Sequence, residues 1–116
     1  MPQMEIQNAK IDSVSLGYDR GVFLCAWLYL DYGGNCQGFG GYVLAKNSGP
    51  QRALNDFGIE YINRILSVLE IETWEKLPGT PCRVKANHCK VFAIGHFLKD
   101  KWFDPEELQK EKGLSD

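Results

Sequence analysis

Nine consecutive residues, Val22-Phe23-Leu24-Cys25-Ala26-Trp27-Leu28-Tyr29-Leu30, carry no charged side chain. Side chains alternate along an extended strand, so Val22, Leu24, Ala26, Leu28 and Leu30 fall on one face and Phe23, Cys25, Trp27 and Tyr29 on the other. Both faces are apolar, the pattern of a central strand covered on each side. The chain has 116 residues, the size of one domain, and residues 1–116 are read as a single domain. With only one long helix in view, covering both faces calls for a second copy of the protein. The expectation is a homo-oligomer, a dimer or a trimer of dimers, with Phe23 or Trp27 at or near the subunit contact.

The flanking sequence fills in an α+β fold. Met4 to Leu16 alternates loosely, and Gly17, Asp19 and Gly21 punctuate it before the apolar run, which predicts a hairpin. Asp31 to Asn35 reads as a turn and Cys36 to Leu44 as a third strand interrupted by glycines, and Lys46 to Gln51 as a polar loop. The clearest helix starts near Asn55-Asp56 and runs to about Ile71, with Ile59, Ile62, Ile65, Leu66 and Leu69 at three- and four-residue steps. Trp74 and Leu77 continue the apolar cover until Pro78-Gly79-Thr80-Pro81 breaks the chain.

A second hairpin follows, with Cys82, Val84 and Ala86 alternating against Arg83 and Lys85, a turn at Asn87-His88, and Lys90 to Leu98 returning. Asp104-Pro105-Glu106-Glu107 combines a capping carboxylate, a proline at the first helical position and acidic residues in the first turn, and so opens a short C-terminal helix that frays at Gly113. The predicted fold is an antiparallel sheet of about five strands in the order β-β-β-α-β-β-α, with the long amphipathic helix on the sheet.

Charge and composition narrow the functions. Thirteen Lys and Arg against fifteen Asp and Glu leave a formal net charge of -2, so no cationic field is available for a long nucleic acid. No run is apolar enough to span a bilayer and the N-terminus lacks a signal-peptide pattern, which places the protein in the cytoplasm. In that compartment the four cysteines stay reduced, and Cys25 and Cys82 read as small core residues.

Four arrangements bear on chemistry. Gly38-Phe39-Gly40-Gly41 resembles a phosphate loop, but no helix follows it and no Lys-Ser/Thr pair closes it, so a bulged strand or backbone crowded against a neighbour competes with backbone contact to a ligand. Cys82, His88, Cys89 and His96 have zinc-ligand chemistry at spacings that match no familiar zinc frame. His96, between Ile94 and Leu98, reads as a hydrogen-bonded core histidine rather than the partner of a nucleophilic cysteine. Helix capping and solvated helix ends account for the acidic pairs. The sequence therefore calls for no enzyme, metal or cofactor. Cations and polar groups remain, among them Arg52, Arg83, Lys85, Asn87, His88, Lys90, Lys99, Lys101 and Lys110, which read either as solvated surface or as holders of a compact anionic nucleotide.

Leu16-Gly17, Gly21, Gln37 to Tyr42, Trp74-x-x-Leu77-x-Gly79, Arg83-Val84, Ile94-Gly95-His96 and Lys101-Trp102-Phe103-x-Pro105 together resemble the first family of phage Thoeris anti-defence proteins. That resemblance spans nearly the whole chain. It implies a protein of the host cytoplasm that sequesters cyclic ADP-ribose isomers made by TIR-domain enzymes; some members also hold cyclic di- or trinucleotides. It further implies that Arg52, before the long helix, and Asn87, after the fourth strand, contact the ligand; His88, Lys90 and Lys110, from the cations and polar groups above, are further candidates. The family's cations on the C-terminal helix are arginines, whereas this chain has Lys110 and Lys112, and lysine cannot form a bidentate guanidinium fork. The alternative function is direct binding of a host defence protein, in the manner of an anti-CRISPR inhibitor, through an exposed aromatic face.

Overall fold

The computed structural model describes residues 5–32, 34–46, 52–87 and 90–111. The elements run β1 (Glu5–Asp19), β2 (Phe23–Tyr32), β3 (Asn35–Lys46), α1 (Arg52–Leu69), a 3-10 turn (Trp74–Lys76), β4 (Pro81–Ala86), β5 (Val91–His96), β6 (Trp102–Phe103) and α2 (Pro105–Glu111). All strand pairings are antiparallel, in one six-stranded sheet of order β3-β2-β1-β4-β5-β6. The α+β class is as expected, with a sixth strand added.

β1 organises the sheet because it is long enough to serve two sets of partners. Glu5 to Lys10 pair with β4, and Lys10 to Asp19 pair with β2. Lys10 is the residue both ladders share. The strand continues past Gly17 to Asp19, and the reversal falls at Arg20 to Val22, around Gly21, the last of the three punctuating residues. Likewise β2 extends to Tyr32 and β3 begins at Asn35, so the segment read as a turn is mostly strand.

One face of the sheet carries the core. Ala9, Ile11, Ala26, Leu28, Leu30, Phe39, Cys82, Val84 and Ile94 are buried there beneath α1 and α2. The side of α1 that faces them is Phe57, Tyr61, Ile65, Val68 and Leu69. This rotates the expected stripe: Ile59 is 70% exposed, and Ile62 and Leu66 are only partly buried. The bulkier rings at 57 and 61 take the core, where Tyr61 meets Phe57, Tyr42 and Phe103 at centroid distances of 5.4 to 5.9 Å. The helix also starts before Asn55-Asp56, at Arg52.

At the C-terminal end the cap is as expected: the Glu106 amide donates to Asp104 Oδ1 at 2.9 Å. Cys82 is buried as expected, and burial pushes its thiol up to about 12. Cys25 is corrected: it is half-buried on the opposite side of the sheet. Among the described residues no helix is long and apolar enough to cross a membrane.

Candidate functional site

Among the described residues, no helix lies on the second face of the sheet. In the register, Phe23, Cys25, Trp27 and Tyr29 of β2 stand opposite Asp19, Gly17, Ser15 and Ser13 of β1. Phe23 and Tyr29 are 38% and 37% exposed, while Trp27 is half-buried. The expectation that β2 is covered on both faces therefore fails within one chain, because both helices pack on the same side.

Trp27 is half-buried because it lies against the glycine-rich strand. A Cβ on Gly38 would sit 2.9 Å from the indole and one on Gly41 would sit 2.5 Å from it. Gly40 and Gly41 have φ of +128° and +81°, where the β2–β3 ladder shifts register. A side chain on Gly40 would also collide with the Ala26 carbonyl oxygen. The glycine motif is thus a bulged, crowded strand, one of the two readings its sequence left open. Tyr29 lies beside Trp27 with rings 12° from parallel and centroids 6.2 Å apart, and a cleft of about 530 Å³ opens over them toward Ser15, Tyr18 and Asp19. A second, apolar cleft of about 600 Å³ lies between α1 and the strands, lined by Leu16, Leu24, Leu44, Ile59, Ile62 and Leu66 among others.

The opposite end of the open face has different chemistry. Arg83 and Lys85 project from β4, with Asn8 and Ile6 opposite them on β1 and Gly95 opposite Arg83 on β5. Trp102 of β6 pairs with Gly95, and its indole lies where a Gly95 Cβ would be, 2.6 Å away. Lys85 Nζ stands 4.5 Å and Arg83 Cζ 5.0 Å from the indole centroid. Arg83 is held by two donations, Nε to the His96 carbonyl at 2.9 Å and Nη2 to the Lys99 carbonyl at 2.7 Å.

Among the residues singled out in the sequence, Asn87 and Lys90 come together. The Asn87 amide donates to the Lys90 carbonyl at 3.0 Å, and the Lys90 amide donates back to Asn87 Oδ1 at 2.9 Å. The Tyr32 hydroxyl donates to the Asn87 carbonyl at 3.1 Å and so ties this turn to the end of β2. Lys90 Nζ reaches Glu106 on α2 at 3.2 Å, one helical turn before the exposed Lys110. Arg52 opens α1, and His88 lies outside the described residues.

Three of the other cations, Arg64, Lys99 and Lys101, are compensated by carboxylates. Lys99 and Lys101 both reach Glu70, at 2.8 and 3.1 Å, and their hydrogen bonds hold its carboxyl down at about 2. His96 faces Cys82 across the β4–β5 ladder, and its Nδ1 accepts the Leu98 and Lys99 amides, each at 3.0 Å. It is a half-buried loop cap, rather than the core residue expected, and Leu98 beside it is 82% exposed. Among the described residues no group of three His, Cys, Asp or Glu is placed to hold a metal ion. The sequence contained Arg83, Lys85 and Trp102, but spacing could not show that Gly95 brings them into contact.

No family model, curated protein or solved structure matches this chain. What the geometry defines is a small α+β domain with one helix-covered and one open sheet face.

Proposed function

We propose that the protein binds a small cyclic, phosphate-bearing nucleotide, a cyclic ADP-ribose isomer or a cyclic oligonucleotide, and sequesters it intact as a phage anti-defence sponge in the host cytoplasm. The observation that supports this reading is the contact of Lys90 with Glu106 on α2, which brings that cation to the helix face that carries the exposed Lys110 one turn on. Sequestration needs affinity without turnover, so donors and positive charge suffice. Glu106 pairs with Lys90 at 3.2 Å. A phosphate competes with that carboxylate for the ammonium.

Two measurements test this. Incubation with cyclic ADP-ribose isomers and cyclic di- and trinucleotides, followed by denaturation and analysis of what is released, should return the ligand unchanged; a cleaved product or no uptake overturns the reading. In calorimetric titration Arg52→Ala should weaken binding ten- to a hundredfold, the loss of a charge-assisted contact of about 1.5–3 kcal/mol. Asn87→Ala should weaken it less, and Glu106→Gln, by freeing Lys90, should tighten it severalfold.

A second reading, direct binding of a host defence protein, is favoured by the row of Phe23, Trp27 and Tyr29 on the open face. No uptake of nucleotide together with a stable complex between the two proteins would decide for it.

A further inference from the structure

We infer that Arg83 and Lys85 form a phosphate-binding site on the open face of the sheet, organised by Trp102, for a small organic phosphate. This site is separate from the β4–β5 turn, and either could fail without the other.

Placement comes first. Arg83 and Lys85 are two residues apart on β4, so both project from one face, and the register sets Asn8 beside Arg83 and Ile6 beside Lys85. The row Asn8, Arg83, Gly95, Trp102 crosses four adjacent strands. Gly95 has no side chain, so the indole can lie across β5 and meet both cations. An aromatic face attracts a cation without cancelling its charge.

Charge compensation is the second argument. Arg64, Lys90, Lys99 and Lys101 each have a carboxylate within 2.8 to 3.2 Å. Arg83 and Lys85 have none among the described residues; Lys10, Arg20, Lys76 and Lys110 also have none, but Arg83 and Lys85 are the pair that meets one aromatic ring. The carboxylate beside the ring, Asp100, instead accepts the Trp102 Nε1 hydrogen at 3.2 Å. Two like charges held on one strand face repel each other, and an anion between them relieves the repulsion.

Geometry then selects the anion. The Nε and Nη2 contacts to the His96 and Lys99 carbonyls fix the guanidinium and leave its Nη1 hydrogens without a partner among the described residues. A fixed guanidinium edge, a mobile ammonium and the neighbouring Asn8 amide match the several acceptor oxygens of a phosphate better than the two of a carboxylate. Ile6, 59% exposed beside Lys85, provides apolar surface for the organic part.

The test uses ADP, inorganic pyrophosphate and an oligoglutamate peptide as probes, titrated calorimetrically into the full chain at low salt. ADP should bind, and Lys85→Gln should weaken it about tenfold with unchanged thermal unfolding, while Lys76→Gln leaves it unaltered. Pyrophosphate binding with the same dependence on Lys85 also supports the site and identifies phosphate as its main determinant. In a two-dimensional NMR titration of wild type, ADP should shift the Trp102 indole N–H and leave that of Trp27 in place. Undiminished ADP affinity in Lys85→Gln, no binding of ADP or pyrophosphate, shifts confined to other residues, or preference for the peptide over both phosphates would each overturn the inference.

Discussion

Trp27 and Trp102 occupy one face of one sheet by the same device, yet they offer opposite chemistry. Each indole lies flat because the strand beside it carries glycine where a side chain would stand, Gly38 and Gly41 under Trp27 and Gly95 under Trp102. Around Trp27 the neighbours are Tyr29, Cys25 and Ser15. Around Trp102 they are Arg83 and Lys85. A glycine seat fixes where a ring lies, and the other residues around the ring decide what that end of the face presents. One end of the face is aromatic and the other cationic.

The sharpest way to break this comparison is to charge the aromatic end. We propose that the Trp27 end closes against a second copy of the chain. Trp27→Asp would bury a carboxylate there at a cost of several kcal/mol, and the assembly should dissociate to monomers in sedimentation. A wild type that sediments only as a 13.1 kDa species at micromolar concentration removes the dimer, and an assembly that survives the substitution moves the contact elsewhere.

A smaller effect separates the two seats. Gly41→Ala combines a positive φ with a clash against Trp27, a strain of about 1–3 kcal/mol with an overpacking cost of similar size. Gly95 has no positive φ, so Gly95→Ala carries the overpacking cost alone. Chemical denaturation should therefore rank Gly41→Ala as the less stable variant, and the reverse order would show that the two seats differ in kind.

The smallest effect concerns the rim of the Trp102 end, where Lys99 and Lys101 hold Glu70. A carboxyl held down at about 2 contributes stability that is present above its ordinary pKa of 4.5 and is lost as the pH falls toward 2. Glu70→Gln should flatten acid destabilisation across that window. Because the group is exposed, added salt should shrink the difference. An identical acid profile in wild type and variant would remove Glu70 from the account.

The sequence made β4 legible because Cys82, Val84 and Ala86 alternate cleanly with two cations, and α2 because Asp104 caps it locally. It misplaced the start of α1 because Asn55 and Asp56 look like a cap while the chain was already helical, a choice made by tertiary packing of Phe57 and Tyr61. β6 was invisible: two residues show no period, and Trp102–Phe103 are a strand only by pairing with Ile94 and Gly95. The two-sided apolar pattern of β2 was read correctly as a pattern, but alternation does not say which face the helices choose. The Arg83–Trp102 contact depends on that same pairing and was equally hidden.

β1 also sets an order of events during synthesis. Its C-terminal half finds β2 as soon as the first hairpin is made, but the half from Glu5 to Lys10 waits for β4, which begins at Pro81. At about 5–20 residues per second, that leaves an unpaired strand edge for roughly four to fifteen seconds on every ribosome. Glu5 and Lys10, one charge near each end of the waiting segment, are suited to keeping nascent chains from pairing with one another through it.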